Sequence, residues 1–361
     1  MLDNVLAHLE ALVAFDTRNP PRAIDCGGIF EYLRTHLPGF EMDLIDHGAG
    51  AVSLLAVRGH PQRVFNVHLD TVPDSPGWSA DPFALRVDEQ RAVGLGACDI
   101  KGAAACLLAA AQRTTGDAAF LFTSDEEAHD PRCISTFLAV NHGFKEAVVA
   151  EPTRCEAVLA HRGIASVLMR FSGTAGHASD ASALEASALH QAVRWSGRAL
   201  DFVVSEAHRS FVGLTGLRFN IGRIEGGIKA NMIAPSAELR FGFRPLPSQE
   251  IDALHATFQS YVDESVLAHY EESFRGPSLP ASDAASAEDQ RMEARDLPNA
   301  LGLPIGNAVD FWTEAALFSQ AGITAIVCGP GDIAQAHTAD GWVALDDLNT
   351  AAATYHRLLE G

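Results

Sequence analysis

The chain has 361 residues, of which 47% are apolar and 20% charged, a composition typical of folded globular domains and not of disordered or fibrous chains. Forty-six acidic and 26 basic side chains give a formal net charge of -20, and the resulting field would repel a nucleic-acid backbone. The length exceeds the size at which one hydrophobic core usually stops growing. We therefore expect two domains and no nucleic-acid partner.

The start of the chain, MLDNVLAHLEALVAFDT, carries acidic residues early and has no basic segment followed by an apolar run, so it does not resemble a signal peptide. The longest apolar runs are shorter than the roughly 20 residues that span a bilayer. The six cysteines are scattered, without the pairs that a thiolate zinc site requires. We expect a cytoplasmic protein with reduced thiols and no membrane partner, in which His, Asp and Glu hold any metal.

The first 160 residues alternate between helical and strand patterns, which is typical of an α/β sheet covered by helices. The predicted helices cover 3–15, 27–36 and 100–112. The predicted strands cover 52–57, 64–67, 118–123 and 147–150.

From residue 164 the pattern changes to that of a compact α+β insert. Its predicted strands cover 164–171, 214–224 and 237–243, and its helices cover 181–207 and a segment starting near 248. A polar connection over 277–296 leads back to a strand at 324–328 and a helix at 345–359. The sequence thus predicts an α/β domain over 1–163 and 274–361, interrupted by a second domain over 164–273.

Acidic and histidine side chains follow the predicted strands at the points where those strands end. They form short motifs, which are HLD at 68–70, Asp99 after the turn GLGAC, DEE at 125–127, Glu151 and His337. Open α/β sheets bind their ligands at the carboxyl ends of the strands. The motifs therefore favour one shared site.

Taken singly, each motif also has an ordinary structural interpretation: a hydrogen-bonded turn for HLD, a solvated acidic patch for DEE, and a helix N-cap for Asp99. Taken together, they supply the four terminal ligands and one bridging carboxylate that two divalent ions need. The candidate ligands are His68, Asp99, Glu127, Glu151 and His337. Glu126 is left over, and a carboxylate that lies beside the metals without binding them suits a general base.

Five short motifs resemble successive motifs of the co-catalytic zinc deacylases and exopeptidases, namely HLDTVP (68–73), GLGACDIKG (94–102), TSDEE (123–127), AEP (150–152) and CGPG with AHT (328–338). This family includes acetylornithine deacetylase, succinyl-diaminopimelate desuccinylase, carboxypeptidase G and aminoacylase. The resemblance covers nearly the whole chain and is closest to the acetylornithine deacetylase branch. It implies a zinc-exopeptidase-like catalytic domain, with residues 164–273 as an inserted α+β lid and dimerisation domain.

The resemblance also implies a role for each residue of the site. His68 and Glu151 would hold one metal, Glu127 and His337 would hold the other, and Asp99 would bridge them. Glu126 would be the catalytic base. A further catalytic residue, Asp70, would orient His68 through the ring N–H of that histidine.

Three motifs of the insert resemble lid motifs of the same family. TAGHAS at 174–179 implies that His177 reaches across a homodimer into the neighbouring active site. GGIKANMIAP at 226–235 and FGFRP at 241–245 imply that Asn231 and Arg244 bind substrate, with Arg244 on the carboxylate. The chain departs from the family at Leu95, where Arg is frequent, at Ala178, where Ser is frequent, and over ADGW at 339–342, where an acidic residue is frequent.

The implied activity is hydrolysis of a small N-acetyl-L-amino acid by two divalent ions, zinc or cobalt. N-acetyl-L-citrulline of arginine biosynthesis is the first candidate substrate, and N-acetylornithine or a dipeptide is the alternative. The alternative outside enzymes is a metal- or amino-acid-binding protein with the same fold. Glu126 argues against that alternative, because binding alone needs no base.

Lys229 lies two residues before Asn231, in the loop GGIKANM. One interpretation is a solvated loop lysine with no role. The other is that its ammonium faces the substrate, where it would repel ornithine and hydrogen-bond the neutral ureido group of citrulline. The second interpretation makes Lys229 a substrate-binding residue that selects N-acetylcitrulline.

Overall fold

The structure is a computed structural model and describes residues 1–263 and 265–360. Its α-helices, in chain order, are α1 (Leu2–Val13), α2 (Gly28–His36), α3 (Gly102–Ala111), α4 (Arg132–Leu138), α5 (Ala183–Ala186), α6 (Ala188–Ser205), α7 (Ile251–Gln259), α8 (Ala287–Glu293), α9 (Asp296–Leu301), α10 (Ala315–Gln320) and α11 (Leu345–Glu360). Its β-strands are β1 (Glu41–Gly48), β2 (Ala51–Arg58), β3 (Arg63–His68), β4 (Arg86–Val87), β5 (Arg91–Val93), β6 (Ala118–Thr123), β7 (Glu146–Pro152), β8 (Ile164–Ser172), β9 (Gly176–His177), β10 (Ser210–Phe211), β11 (Leu214–Thr215), β12 (Arg218–Gly226), β13 (Met232–Ile233), β14 (Ser236–Arg244), β15 (Leu267–Gly276), β16 (Thr324–Gly329) and β17 (Trp342–Ala344).

The chain forms two compact units. The first comprises Met1–Leu159, Met292–Gly306 and the part of the chain described from Thr313 onward; the second comprises Ala160–Arg291 and Asn307–Trp312. The domain boundaries of the sequence analysis, at 163/164 and 273/274, stay a prediction.

A mixed six-stranded sheet forms the centre of the first unit, in the order β1-β2-β6-β3-β7-β16. Strands β6, β3, β7 and β16 are parallel, so their carboxyl ends lie along one edge, whereas β1 and β2 pair antiparallel. The residues of β6 and β3 are almost all buried because this parallel part of the sheet is covered on both faces.

Helix α3 packs against α1 and α11 on the first unit. Each residue of its sequence GAAACLLAAA is buried, which explains why the helix has no polar face. Small side chains let its neighbours approach closely, and the cores of these helices and the sheet form one continuous cluster.

The second unit contains an antiparallel four-stranded sheet in the order β12-β14-β8-β15, with α6 packed on it. The buried face of α6 presents Ala188, Ala192, Trp195 and Ala199, whose spacing matches one face of a helix. Trp195 is 1% exposed, and its indole N–H donates to the Phe258 carbonyl oxygen at 2.7 Å. This aromatic centre gives the unit its own hydrophobic core.

Two predicted elements of the insert were wrong. The helix predicted over 181–207 is interrupted at Ser187, which has an extended backbone. The strand predicted over 214–224 is interrupted at Gly216, whose φ of +63° ends β11 before β12 begins. The connection over 277–296 contains helix α8.

No helix of the residues described is long and apolar enough to cross a membrane. The six cysteines are free thiols, and five of them are buried.

Candidate metal centre

The candidate ligands lie at the carboxyl edge of the parallel strands of the first unit. His68 ends β3, Glu127 follows β6, and Glu151 lies near the end of β7. His337 belongs to the loop between β16 and β17, and Asp99 precedes α3. Strands that end at the same edge thus bring together residues that are up to 269 positions apart in the sequence, from His68 to His337.

One group of possible metal-binding atoms consists of His68, Asp99 and Glu151, whose atoms lie within 4.8 Å of one another. The Nε2 atom of His68 lies 3.2 Å from Oδ1 of Asp99 and 3.8 Å from Oε1 of Glu151. All three side chains are largely buried, so the atoms face one another in a poorly solvated space.

A second group consists of Asp99, Glu127 and His337, again within 4.8 Å of one another. His337 Nε2 lies 2.9 Å from Oε1 of Glu127 and 3.4 Å from Oδ2 of Asp99. Asp99 thus turns one carboxylate oxygen to each histidine and belongs to both groups. It does not cap α3, because that helix begins at Gly102 without a side-chain cap.

Asp70 holds the loops around His68 in place. His68 Nδ1 lies 3.0 Å from the Asp70 backbone oxygen and 3.5 Å from its carboxylate Oδ1, so the closer contact of the ring is to the backbone. The Oδ2 atom of the Asp70 carboxylate accepts hydrogen bonds from Asn19 Nδ2 and from the backbone N–H of Glu127, each at 3.0 Å. A ring that donates from Nδ1 keeps Nε2 free for a metal.

Glu126 lies close enough to His68, Glu127 and Glu151 to interact with their charges, yet it belongs to neither group of ligand atoms. Burial raises the pKa of Glu126 well above its usual range, and the neighbouring carboxylates raise it further, while His68 opposes them. A raised pKa makes the ionised carboxylate a stronger base, which suits a group that accepts a proton and later returns it.

The sequence analysis missed Glu314, a buried carboxyl group of the segment before α10. Thr123 Oγ1 donates to Glu314 Oε2 at 3.4 Å, and the charges of Asp125, His68 and Asp70 also act on it. Burial raises the pKa of Glu314 to about 8. Its context, WTEAALF, reads as the start of an apolar helix, so no local signal marks Glu314 as a neighbour of the site.

The donor set fits two divalent cations. Burial opposes ionisation of Asp99, but hydrogen bonds from His337 and His68 hold its pKa below the usual range. Burial raises the pKa of Glu127 and Glu151. When ionised, four neighbouring carboxylates carry a total negative charge that balances the charge of two divalent ions. They are Asp99, Glu126, Glu127 and Glu151. Imidazole nitrogen and carboxylate oxygen are the donors that zinc and similar ions accept.

The second unit brings His177 and Asn231 together. Strands β9 and β13 pair His177 with Met232, and the backbone N–H of Ala178 donates to the Asn231 carbonyl oxygen at 3.0 Å. His177 Nδ1 accepts from the backbone N–H of Ser179 at 3.2 Å and lies 2.7 Å from the Ser179 hydroxyl. A backbone N–H can only donate, so the neutral His177 ring carries its proton on Nε2.

Arg244 lies apart from this pair, whereas Lys229 lies close to Asn231 in the sequence. Arg244 ends β14, whereas Asn231 precedes the other end of that strand at Ser236. At about 3.4 Å per residue, the two ends are roughly 27 Å apart. Lys229 is exposed in the same loop as Asn231. Within one protomer, Arg244 is therefore not beside His177 and Asn231.

The sequence pattern of peptidase family M20/M25/M40 matches residues 64–361. The chain belongs to peptidase family M20/M25/M40. Within that family it is 66% identical over 362 residues to N-acetyl-L-citrulline deacetylase of Xanthomonas campestris pv. campestris, covering 100% of this chain and 99% of that protein. It is 29% identical over 335 residues to acetylornithine deacetylase of Vibrio vulnificus, covering 86% of this chain and 84% of that protein.

The fold is also similar to that of a solved M20 structure, a dinuclear metal-binding peptidase of Bacillus subtilis. The TM-score is 0.64 at 14% identity, over 99% of this chain and 97% of that one. These comparisons confirm the resemblance found in the motifs and the predicted α/β fold class. As a member of this family, the chain is a hydrolase. The assignment of individual ligands and catalytic residues stays a prediction.

Proposed function

We propose that this protein removes the acetyl group from N-acetyl-L-citrulline, giving L-citrulline and acetate. The observation that carries the proposal is the 66% identity to N-acetyl-L-citrulline deacetylase over the whole chain. The cluster of ligand atoms around Asp99, with Glu126 beside it, supports the same reaction. This activity belongs to arginine biosynthesis in the cytoplasm.

His68, Glu151 and Asp99 would hold one divalent ion, zinc or cobalt, and Glu127, His337 and Asp99 the other. When bound, the ions polarise the acetyl carbonyl and lower the pKa of the attacking water toward about 7. Glu126 takes the proton from that water and later delivers it to the nitrogen of the departing citrulline. Asp70 keeps the Nδ1 proton of His68 in place and holds the backbone of Glu127.

The substrate contacts come from the second unit. His177 donates its Nε2 proton to the oxyanion that develops on the acetyl carbonyl, a contact typically worth about 3 kcal/mol per donor. The tautomer that Ser179 selects supports this role because it leaves the Nε2 proton available. Arg244 pairs with the substrate carboxylate, and Asn231 binds the substrate beside His177. Lys229 selects the neutral ureido tail.

We further propose a homodimer in which the second unit meets its copy and His177 acts in the partner's active site. Two features support it. Strand β12 is an edge of its sheet, with open backbone groups along one side. Besides its buried face, helix α6 has an exposed apolar stripe formed by Val193, Leu200 and Val204, which are 59%, 50% and 73% exposed. Together with Gly197, these residues recur at the spacing of one helix face.

The deciding experiment measures release of free amine by the metal-loaded enzyme from four substrates side by side. They are N-acetyl-L-citrulline, N-acetyl-L-ornithine, N-succinyl-diaminopimelate and an unmodified dipeptide. We expect the highest kcat/KM with N-acetyl-L-citrulline. A higher kcat/KM with N-acetylornithine would instead support the second candidate, which the 29% identity to acetylornithine deacetylase favours. Faster cleavage of the dipeptide would contradict both.

Removing the metal provides a separate test of the proposed chemistry. Exhaustive chelation should abolish amine release, and added zinc or cobalt should restore it. A protein that stays fully active after its metal content has fallen to zero, measured by elemental analysis, would contradict the two-metal mechanism.

A further inference from the structure

A small cavity lies beside the candidate metal centre, within the first unit. Its volume is about 20 Å³, where about 10–15 Å³ suffices for one water molecule. It therefore has room for one group of about the size of a methyl. Asp99, Glu127 and His337 of the ligand cluster form part of its wall. Whatever occupies the cavity is consequently next to the reacting atoms.

Two polar atoms at this cavity lack a partner. Thr71 and Trp78 both line it. Within the part of the chain that the structure describes, neither the Thr71 hydroxyl nor the Trp78 indole N–H has a hydrogen-bond partner, although both atoms are buried. Thr71 is only 2% exposed. A buried polar group without a partner is destabilising, and a ligand oxygen beside either atom would provide the missing acceptor.

The remaining wall is largely apolar. Val72, Pro73 and Leu95 line it, and Leu95 is 7% exposed. Leu95 adds no charge to this part of the wall. A carboxylate on a longer acyl chain would lose its hydration against these apolar side chains, whereas a methyl group would pack favourably.

Given the proposed deacetylase function, we propose that this cavity binds the acyl group and restricts the enzyme to short uncharged acyl chains. The methyl of the acetyl group packs on Leu95 and Val72. As hydrolysis breaks the C–N bond and forms the new C–O bond, the carboxylate of the acetate product lies at the edge of the cavity, outside the space that the methyl fills, and accepts hydrogen bonds from Thr71 and Trp78. Leu95 is thus a determinant of acyl specificity, separate from the second unit that binds the amino-acid part.

The first test varies the acyl chain on a fixed amino acid. With wild-type enzyme, kcat/KM should fall at least tenfold from N-acetyl- to N-propionyl-L-citrulline and further to N-succinyl-L-citrulline. Leu95→Arg fills the cavity and adds a cation. It should lower kcat/KM for the acetyl substrate and raise the succinyl-to-acetyl ratio at least tenfold. Leu95→Met, which keeps the wall apolar, should retain the preference for acetyl over succinyl.

The second test measures binding of acetate without turnover, by calorimetric titration of the metal-loaded protein. Thr71→Val keeps the side-chain shape but removes the hydroxyl, and Trp78→Phe removes the indole N–H. Each should weaken acetate binding about tenfold, the effect of losing one hydrogen bond of about 1.4 kcal/mol. Thr35→Val is the matched control, since the exposed Thr35 of α2 donates its hydroxyl to the Tyr32 carbonyl oxygen. It should leave acetate affinity unchanged.

Metal content is measured for every variant, so that loss of the ligand cluster is recognised. The inference is overturned if Thr71→Val and Trp78→Phe bind metal and acetate as the wild type does. It is equally overturned if Leu95→Arg keeps the wild-type acyl preference. Should Leu95→Arg not fold, acetate binding by Thr71→Val and Trp78→Phe decides whether the inference holds. A wild-type protein that releases no amine from any N-acetylamino acid refutes the proposed function itself, and acetate binding then reports on the cavity alone.

Discussion

Replacing Glu126 by Gln removes the carboxylate next to the ligand cluster while keeping the size of the side chain. We expect kcat for N-acetyl-L-citrulline to fall about 10³-fold, because a positioned general base contributes about 10²–10⁴-fold. This corresponds to about 4 kcal/mol of transition-state stabilisation. The amide is too weakly basic to take a proton from water, so only the slower unassisted reaction remains.

The geometry separates this effect from loss of metal. Glu126 belongs to neither group of ligand atoms, whereas the neighbouring Glu127 lies with His337 and Asp99. Glu126→Gln should therefore bind close to the wild-type amount of metal. Glu127→Gln is the matched variant, with the same chemical change one residue further along, and should lose metal as well as activity.

The assay combines steady-state kinetics with elemental analysis of dialysed protein. Two results would refute the reasoning. One is a Glu126→Gln enzyme with kcat within tenfold of the wild type. The other is a Glu126→Gln protein that loses as much metal as Glu127→Gln, because Glu126 would then be a ligand and not a base.

Three further predictions concern the dimer, the substrate tail and a buried acid. Mixing inactive His177→Ala with inactive Glu126→Gln subunits should restore part of the activity, since one site of the mixed dimer then has both groups; no recovery after proven subunit exchange would show that His177 does not act in trans. Lys229→Met should lower kcat/KM for N-acetylcitrulline relative to N-acetylornithine, because repulsion between Lys229 and ornithine at about 5 Å is about 3 kcal/mol at an effective dielectric of about 20; an unchanged ratio would assign selection to other residues. Burial raises the pKa of Glu314 from 4.5 to about 8. Between these two pH values the folded protein keeps a proton that the unfolded chain releases, so the free energy of unfolding of the metal-free wild type falls as the pH rises from 4.5 through 8. Glu314→Gln does not ionise and should avoid that loss, which is about 5 kcal/mol at most; urea unfolding at pH 5 and pH 9 measures it, and equal losses in both proteins would contradict the raised pKa.

The parallel strands and their ends could be predicted from the sequence. The strand predicted over 118–123 has the observed bounds of β6, and the prediction for β16 is one residue short. Buried strands are continuous apolar runs bounded by turns, which makes them visible without a structure. Because parallel strands share a carboxyl edge, the polar residues that follow them, such as His68 and Glu151, could be grouped in advance.

Several strands were missed, and two of them, β1 and β15, are edges of their sheets. β1 has the sequence EMDLIDHG and β15 has LAHYEESFRG, each rich in charge and with few buried residues. An edge strand pairs on one side only, and charged residues there prevent association with other chains. Such a strand lacks the apolar run that marks a central strand, so only pairing with β2 and β8 identifies it.

The interruption of the long helix at Ser187 depended on distant backbone groups. The Ala186 carbonyl oxygen accepts from Thr174, and the Ala188 N–H donates to the Ala234 carbonyl oxygen, so the groups on both sides of Ser187 bond to other segments. Helical propensity over 181–207 contains no information about those partners.

The amino-acid types of the candidate ligands and base, their order along the chain and their places after predicted strands were thus determined by the sequence, whereas the strand order of the sheet sets their order along its edge. The tertiary structure decided which oxygen of Asp99 faces which histidine, and that Asn19 and Glu314 are neighbours of the site. Buried polar groups take their hydrogen-bond partners from whichever segments the fold brings beside them. Asn19 is 51 residues from Asp70 in the chain, and a contact over that distance leaves no periodic signal in the sequence.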